Sequence, residues 1–365
     1  MRFPGFEGEW ETKKLSAYLY ENKERNRNGE FNKSDVLSVS GDCGIVNQIE
    51  LLGRSFAGKS VADYHVVRTD DIVYTKSPLK EYPYGIVKYN NGQDGIVSTL
   101  YAVYHHKDNA DGQFVEYYFT NPQRTNRYFK PIVRIGAKHD MKIGNEEVLD
   151  NFVVFPGLKE QRKITEMLSL LDQRIAIQNK VIEKYESLIR ALSYEVIGKN
   201  MPNIPLSECV LCSSSTLKES DLAKEGEIPA YGASGISGFT ENAFSEGDSI
   251  LITKDGSGVG SLRYVHGPHS FVGTLNSMIP KEGVYLPYIY YALHNICFES
   301  YRTGQAIPHI YFKDYGRELI YLPSYANQKR VACGLERIDN MVDNERRILQ
   351  SLQTAKAYFL VSLFI

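Results

Sequence analysis

The sequence FPGLKEQRKITEMLSLLDQRI at residues 155–175 returns in altered form as LPSYANQKRVACGLERIDNMV at residues 322–342. One constant shift superposes identical residues of the two segments: Pro156 on Pro323, Gln161 on Gln328, Leu168 on Leu335 and Asp172 on Asp339. The shift is 167 residues, the same as between Gln178 and Glu345. A repeat at such a separation is typical of a chain that contains one structural unit twice. The two segments are therefore interpreted as copies of a single element.

Each copy begins a long helix with a narrow apolar stripe. In the first copy the apolar residues step by four and three, as in the seam of a coiled coil; they are Ile164, Leu168, Leu171, Ile175, Ile182, Tyr185, Ile189, Leu192 and Val196. The second copy follows the same pattern from Val331 to Leu363, with Lys356 inside the stripe. Each helix would run for about 40 residues, or on the order of 60 Å. Because so narrow a stripe needs a partner, we expect the two helices to pair.

A polar residue interrupts the stripe at the same place in each copy, namely Gln178 in the first helix and Glu345 in the second. In an antiparallel pair these residues would lie near each other and fix the register, a known use of polar residues in apolar seams. The alternative is that each stripe packs against its own globular domain. The apolar end of the second helix, AYFLVSLFI, is expected to pack against the opposite end of the first helix or near the N-terminal segment.

The segments before the two helices differ from the helices in composition and in the spacing of their apolar residues. They contain short runs of β-branched and aromatic residues between turn residues, which predicts strands. DYHVVRTDDIVYTKS from Asp63 and ENAFSEGDSILITKDG from Glu241 both predict a strand that follows an acidic turn and ends in Thr-Lys. GIVSTLYAVY from Gly95 likewise parallels SFVGTLNSMIP from Ser270. The whole chain therefore looks duplicated, as two mixed α/β domains that are each followed by a long helix.

This order of domains and helices, with the motif P-x-x-x-x-Q-[RK] opening each helix, resembles the specificity (S) subunits of type I restriction-modification enzymes. The resemblance covers essentially the whole chain, and its most specific parts are FPGLKEQRKI, LPSYANQKRV, IPAYGASGISGFT and RTGQAIPHIYF. It implies an α+β fold with a pseudo-two-fold internal duplication. Target-recognition domains would lie at 1–155 and 201–322, separated by long helices at 156–200 and 323–365 that form an antiparallel coiled coil.

The same resemblance implies the function. Each globular domain would read one half of an asymmetric, bipartite target in double-stranded DNA, and the helices would set the spacing between the half-sites. The helices would also dock two methyltransferase subunits, and restriction or translocase subunits would join that assembly. S-adenosylmethionine, ATP and magnesium would bind to those partners, so the chain itself is expected to hold no cofactor and to have no catalytic residues.

Candidate DNA contacts are predicted from charge and position. Lysine and arginine bind phosphates, while the planar groups of Arg, Asn and Gln suit base edges in the major groove. The densest basic stretch is RTNRYFKPIVRIGAKHDMK, from Arg124. The predicted contacts are Thr75, Lys76, Arg124, Arg127, Lys130, Arg134, Lys138 and His139 in the first domain, and Thr253, Lys254, Ser257, Arg302, Gln305, His309 and Lys313 in the second. Roles in helix register and partner docking are assigned to Gln161, Gln178, Gln328 and Glu345.

One motif points to a different class of protein. GRSFAGKS at residues 53–60 matches the P-loop pattern G-x-x-x-x-G-K-[ST], which requires a following helix whose N-terminus faces the phosphates. The residues after Ser60 are rich in β-branched types and lack a helical stripe, so we interpret the motif as a turn that leads into a strand. A self-contained nucleotide-dependent or DNA-modifying enzyme stays open as an alternative, although the chain has no N-P-P-Y or D-P-P-Y motif of an adenine methyltransferase.

Composition narrows the class further. A formal net charge of -2 excludes a protein that binds polyanions over its whole surface, so any DNA-binding surface must be local. No apolar run reaches the roughly 20 residues of a membrane span, and the first residues lack a signal-peptide pattern, so we expect a cytoplasmic, nucleoid-associated protein without a membrane partner. Cys209 and Cys212 form a C-x-x-C without a second ligand pair, which favours buried thiols over a zinc site.

Two further alternatives lie close to the favoured interpretation. The chain could be a coiled-coil scaffold that binds no DNA, in which case the basic stretch would be incidental. It could also serve as the specificity subunit of a system that only methylates DNA.

Overall fold

The computed structural model describes residues 2–135, 141–304 and 307–364. Contacts between residues divide the chain into two compact units. Unit one comprises Met1–Ile177 with Leu349–Ile365, and unit two comprises Gln178–Ile348. Each unit therefore contains one globular segment and part of both long helices, whereas the sequence-based boundaries treat the helices as separate segments.

Unit one is built from short strands and helices that precede the first long helix. Its strands are β1 (Glu11–Lys14), β2 (Leu19–Glu21), β3 (Leu37–Ser40), β4 (Gly44–Asn47), β5 (His65–Val67), β6 (Ile72–Tyr74), β7 (Val87–Tyr89), β8 (Gly95–Val97), β9 (Ala102–His106), β10 (Arg134–Ile135), β11 (Met141–Lys142) and β12 (Phe152–Phe155). Its helices are α1 (Gln48–Leu52), α2 (Gly112–Phe119) and α3 (Pro122–Phe129). The first long helix, α4 (Leu158–Ser193), begins directly after β12.

Unit two repeats this plan. Its strands are β13 (Ile204–Pro205), β14 (Val210–Ser214), β15 (Ile228–Gly232), β16 (Gly235–Thr240), β17 (Ser249–Thr253), β18 (Leu262–Val265), β19 (Ser270–Phe271), β20 (Leu275–Pro280) and β21 (Leu319–Ile320). Its short helices are α5 (Leu206–Cys209), α6 (Leu286–Leu293) and α7 (Phe312–Tyr315). The second long helix, α8 (Tyr325–Ser362), follows β21.

The same four-stranded sheet occurs in each unit. The strand order is β2-β9-β6-β7 in unit one and β14-β20-β17-β18 in unit two, and the paired strands are antiparallel in both. Every residue of the inner strands β6 and β17 is buried, as expected for strands that are covered on both faces. The smaller sheets differ, since β5 pairs with β8 antiparallel while β15 pairs with β19 parallel. The shared strand order confirms the predicted duplication.

The core of unit one includes residues from both long helices. Ile164 and Leu168 near the start of α4 are fully buried, and they belong to one apolar cluster with Leu363 and Phe364, which follow α8. Trp10 packs edge-on against the Phe364 ring, with 6.4 Å between the ring centroids. The apolar end of the second helix thus packs against the start of α4 and against the N-terminal segment, as the sequence predicts.

Within each unit the two long helices run antiparallel. In unit one the start of α4 packs on the end of α8, and the Lys356 ammonium forms an ion pair with the Asp172 carboxylate. In unit two Gln178 Nε2 donates to the Glu345 carbonyl oxygen at 3.1 Å and also to the Glu345 carboxylate. The predicted proximity of Gln178 and Glu345 is confirmed. Because Gln178 is 3% exposed, its bonds to Glu345 favour a single register of the seam.

Candidate nucleic-acid interface

An inner strand of the central sheet leads into a loop at equivalent places in the two units. The loop follows Thr75 after β6 in unit one, and Thr253 at the end of β17 in unit two. Each loop closes at a glycine in the left-handed region, Gly85 with φ 89° and Gly260 with φ 85°. A Cβ atom at Gly85 would overlap the Thr75 carbonyl oxygen, so glycine is required to close this loop.

The structure corrects the prediction that the two threonines contact DNA, because both side chains are buried. Thr75 and Thr253 are each 3% exposed. The Thr75 hydroxyl accepts a hydrogen bond from the Ile86 N–H at 3.0 Å. The Thr253 carbonyl accepts from the Gly260 N–H at 2.9 Å. The threonines therefore hold the ends of their loops together.

Lys76 also differs from its prediction as a DNA contact, because its ammonium forms hydrogen bonds inside unit one. Its ammonium donates to the Ile143 carbonyl oxygen at 2.9 Å and to Asn145 Oδ1 at 2.6 Å. Asn145 in turn donates to the Glu21 carboxylate at 2.7 Å. Burial lowers the pKa of Lys76. In unit two the one hydrogen bond of the matching Lys254 ammonium among the described residues is a long one, 3.5 Å to the Ser214 hydroxyl, so its charge is less engaged than that of Lys76.

Arg124 is a structural residue, which corrects its assignment as a DNA contact. Its guanidinium donates to the Tyr118 and Phe364 carbonyl oxygens, both at 2.9 Å. It also lies over the Tyr118 and Phe364 rings, at 4.9 and 5.1 Å from their centroids. Burial lowers the pKa of Arg124. The side chain therefore connects the segment after α8 to α3. Its guanidinium donates to these two backbone carbonyls and is not directed towards a phosphate.

Four other cations of the basic stretch are exposed in unit one: Arg127, Lys130, Arg134 and Lys142. Arg127 and Lys130 are three residues apart at the end of α3, so they share one face of that helix. Arg134 pairs across β10 and β11 with Lys142. Among the described residues none of the four forms an ion pair, so all four remain free to bind phosphates. The predicted contacts Lys138 and His139 lie outside the described residues.

In unit two the loop after β17 is joined to residues 308–310. His309 Nδ1 lies 2.7 Å from Asp255 Oδ1. The Gly256 N–H donates to the Pro308 carbonyl oxygen at 2.9 Å, and the Ile310 N–H donates to the Lys254 carbonyl oxygen at 2.9 Å. The structure thus brings the predicted contacts Lys254 and His309 together. These bonds hold the loop that carries the exposed Ser257 in place, although its glycine-rich sequence by itself predicts flexibility.

The remaining predicted contacts of unit two differ in their contacts with neighbouring residues. Lys313 lies 5.3 Å from the centroid of the Tyr311 ring, and Arg302 is paired with Glu299 at 2.8 Å. Gln305 lies outside the described residues. Tyr311 is 49% exposed beside His309, a position suited to stacking on a base. Tyr311 and Asp255 are not among the predicted contacts, but the structure places both beside His309. In the sequence, an aromatic residue two positions after His309 and an acid directly after Lys254 could have pointed to them.

Gln161 and Gln328 are buried clamps and do not lie on a docking surface, which corrects their predicted role. They are 0% and 1% exposed. Gln161 Oε1 accepts from the Asp111 N–H at 2.9 Å, and its Nε2 donates to the Asn109 and Pro156 carbonyls at 3.2 and 2.9 Å. Gln328 makes the same three bonds, to Tyr285, Gly283 and Pro323, at 2.8, 3.4 and 2.9 Å. Each clamp joins a long helix to the start of α2 or α6 in its own unit.

The structure places the P-loop match in a context that does not suit a phosphate. Gly53 ends the short helix α1, with φ 75°, and the next regular element after Ser60 in the described chain is strand β5. No helix N-terminus therefore faces a bound phosphate at this motif. The interpretation as a turn before a strand is confirmed.

Metal-dependent catalysis would need a cluster of ligating side chains. The described residues contain no group of His, Cys, Asp and Glu that could hold a metal ion. Burial raises the pKa of the Cys209 and Cys212 thiols to about 11, so both stay protonated at neutral pH and are poor metal ligands. In the same part of the chain no helix is long and apolar enough to cross a membrane.

Residues 209–354 match the family model of the type I restriction modification DNA specificity domain. The predicted family resemblance is confirmed for this part of the chain. The matched region starts just before β14 and ends within α8, so it covers the four-stranded sheet of unit two, the loop after β17 and most of α8. A comparison with curated proteins gave no significant match.

Two solved structures extend the likeness to nearly the whole chain. The crystal structure of the type I restriction-modification system S subunit from M. genitalium has a TM-score of 0.62 at 17% identity and covers 98% of this chain and 96% of its own. A structure described as the basis of complex assembly and conformational transition of the type I R-M system has a TM-score of 0.51 at 17% identity, with 96% of each chain covered. At this identity the likeness shows the fold: two α/β domains with long helices.

Proposed function

We propose that the chain is the DNA sequence-recognition subunit of a type I restriction-modification complex. The observation that carries this proposal is the match of residues 209–354 to a DNA specificity domain. Unit one has the same strand order in its central sheet and a loop at the matching place, which supports a second reader within the same chain. In this proposal each unit reads one half of an asymmetric, bipartite target in double-stranded DNA.

The two units would approach DNA with different chemistry. Unit one offers four exposed cations that have no ion-pair partner in the described residues, and these suit phosphate contacts. Unit two offers Lys254 beside the His309–Asp255 pair, with Tyr311 exposed nearby. Phosphate contacts set position, whereas a ring that stacks on a base and a histidine edge can discriminate among bases. The loop after β17 is therefore the stronger candidate for sequence readout.

Catalysis would belong to partner subunits. We propose that two methyltransferase subunits bring S-adenosylmethionine, and that restriction or translocase subunits bring ATP and magnesium. The described residues contain no group of His, Cys, Asp and Glu that could hold a metal ion, and the next regular element after the P-loop motif is strand β5 and not a helix. The assembly would act in the cytoplasm on chromosomal and incoming DNA. Turnover of ATP or methylation by the purified chain alone would contradict this division of roles.

Detection of methylated adenines across the genome tests the main proposal. In cells that contain the chain and its methyltransferase, methylation should occur at a bipartite motif with a gap of fixed length. Deletion of the chain should abolish methylation at that motif and leave other methylated sites unchanged. Methylation that persists at the same motif without the chain would contradict a role in recognition.

Removal of the free cations of unit one should flatten the salt dependence of DNA binding. Each phosphate that the protein no longer neutralises should lower the slope of log K against log salt by about 1. We expect Arg127→Ala and Lys130→Ala to reduce the slope by about 2 when combined, because both side chains are exposed and unpaired. Fluorescence anisotropy with duplex DNA at several salt concentrations measures the slope.

Arg124→Met is the matched control for this series, since it removes an equal charge whose guanidinium is already bonded to Tyr118 and Phe364. It should lower the stability of unit one and leave the salt slope of the folded protein unchanged. An unchanged slope in the Arg127 and Lys130 variants would show that this face does not touch phosphates.

The length of the long helices should set the number of base pairs between the two half-sites. We propose a four-residue insertion between Ile175 and Gln178 together with a matched insertion between Glu345 and Ile348. Both helices are then lengthened equally, on the same side of the Gln178–Glu345 contact. Each insertion adds about one turn, or roughly 6 Å. The preferred gap in the methylated motif should lengthen by about two base pairs, given about 3.4 Å per base pair along a strand. Retention of the original gap would argue that the helices do not set the spacing.

A further inference from the structure

An aspartate on each long helix is bonded to a tyrosine of the adjoining short helix. In unit one Tyr117 of α2 donates its hydroxyl to Asp172 of α4 at 2.8 Å. In unit two Tyr291 of α6 donates to Asp339 of α8 at 2.6 Å. Asp172 and Asp339 occupy the same position of the sequence repeat. The pair is therefore one element of the duplicated fold, present twice.

The third member of this element occurs in unit one alone. There the Lys356 ammonium forms an ion pair with Asp172 and lies 5.9 Å from the centroid of the Tyr117 ring. The repeat shift of 167 residues, which separates Gln178 from Glu345, places Ile189 at the position of Lys356 in unit two. Ile189 is buried and carries no charge. Unit one thus supplies its own cation to the aspartate, and unit two does not.

Asp339 instead faces an open groove. The groove has a volume of about 770 Å³, and besides Asp339 and Tyr291 it is lined by Glu336 and Asp343 of α8 and by Tyr290 of α6. The three acids lie three and four residues apart, on one face of α8. Arg346, an arginine of α8 that also lines the groove, is held by Glu186 at 2.7 Å and by Asp343 at 3.3 Å. Among the described residues no cation forms an ion pair with Asp339.

The other charged groups of the groove are also engaged elsewhere. Arg263 lies over the Tyr231 ring at 5.8 Å from its centroid, and His266 lies 3.0 Å from Asp248. Burial raises the pKa of Asp339, as expected for a half-buried carboxylate that lacks a counter-ion. Unit one shows what such a site accepts, since there a primary ammonium sits between the same carboxylate and the same tyrosine ring.

We propose that the groove of unit two receives a lysine or arginine side chain of the methyltransferase subunit, which pairs with Asp339 as Lys356 pairs with Asp172. This inference rests on the proposed function for the identity of the partner. A basic side chain suits the groove better than a DNA phosphate does, because Asp339 and Glu336 form no ion pair among the described residues. The two arginines that also line the groove are already in contact with Glu186 and Asp343 and with the Tyr231 ring. In unit one Lys356 already pairs with the equivalent aspartate, Asp172, so one basic anchor is used per chain.

Binding of the methyltransferase subunit to the full chain tests this site. Asp339→Asn and Ile189→Lys should each weaken binding about tenfold or more, the first by removing the carboxylate and the second by filling the site from within. Asp172→Asn is the matched control, because it breaks the equivalent pair in unit one and should leave the affinity for the subunit unchanged. Calorimetric titration measures all four proteins, with circular dichroism to verify that each variant is folded.

The outcomes separate this inference from the proposed function. Wild-type affinity in both the Asp339→Asn and Ile189→Lys chains overturns the groove and leaves the proposed function intact. Equal weakening by Asp172→Asn also overturns it, since the effect would not be specific to unit two. If Asp339→Asn alters binding of spermidine but not of the subunit, the groove takes a small polyamine and the protein partner is wrong. A wild-type chain that does not bind the subunit contradicts the docking part of the proposed function and this inference with it.

Discussion

Gln161→Ala is expected to lower the free energy of unfolding of unit one by about 2–4 kcal/mol. The side chain is fully buried, and its amide bonds one backbone N–H and two backbone carbonyls between α4 and the start of α2. Alanine leaves all three groups without a partner and out of reach of water, which costs more than the hydrogen bonds themselves contribute. Trp10, the only tryptophan, lies in unit one beside Phe114 and Phe364, so its fluorescence during urea unfolding reports this destabilisation.

Two matched variants make this prediction specific. Gln328→Ala removes the same clamp from unit two, so it should shift the unfolding followed by circular dichroism and leave the Trp10 transition unchanged. Gln350→Ala, on an exposed position of α8, should change neither transition by more than about 0.5 kcal/mol. A Trp10 transition that moves equally in all three variants would show that the clamp has no local role.

The second large effect concerns the pH dependence of unit one. His65 on β5 is 1% exposed, and neither of its ring nitrogens has a hydrogen-bond partner in the described residues. Burial lowers the pKa of His65 to about 4 in the folded chain, from an ordinary value of about 6.5. The unfolded chain therefore takes up a proton at a higher pH than the folded chain does. Stability is present above pH 6.5 and is lost as the pH falls towards 4, by about 3 kcal/mol in total.

His65→Leu should remove this pH-dependent destabilisation, because leucine cannot be protonated. At neutral pH the variant should already be more stable by about 1 kcal/mol, since two unpaired buried nitrogens are replaced by apolar atoms of similar volume. The difference in stability between variant and wild type should then widen as the pH falls from 6.5 to 4. Urea unfolding followed by Trp10 fluorescence at several pH values measures it.

His106→Leu serves as the control, because His106 is only half-buried on β9 and its Nδ1 is 3.3 Å from the Lys107 carbonyl oxygen. Its stability should follow the wild-type dependence on pH. Parallel curves for the wild type and His65→Leu between pH 4 and 6.5 would mean that His65 is hydrated or bonded in solution and would refute the prediction.

The largest features of the fold could be predicted because they repeat along the chain. The stripe from Ile164 to Val196 requires a long helix with a partner, and its copy supplies that partner. Gln178 and Glu345 interrupt the two stripes at equal places, and this regularity alone predicted that they lie together. Such patterns depend on periodicity within one segment, which the order of residues expresses directly.

The proposed DNA-binding surface could be predicted only in part, because the exposure of a side chain depends on contacts between distant segments. Arg124 belongs to a basic stretch with Arg127 and Lys130, and nothing within that stretch distinguishes it from them. Its guanidinium is removed from the surface by Phe364, 240 positions further along the chain. The Lys76 ammonium likewise forms hydrogen bonds with the Ile143 carbonyl oxygen and the Asn145 side chain, inside unit one.

The sequence by itself determined the duplication, the two long antiparallel helices and the family that the chain resembles, because these depend on local periodicity and on repeated motifs. Only the tertiary structure decided which cations are free to bind DNA, that Gln161 and Gln328 are clamps, and that Asp339 faces an open groove while Asp172 is already paired. The physical reason is that a charge or an amide acquires its role from the partners that folding brings within hydrogen-bond distance.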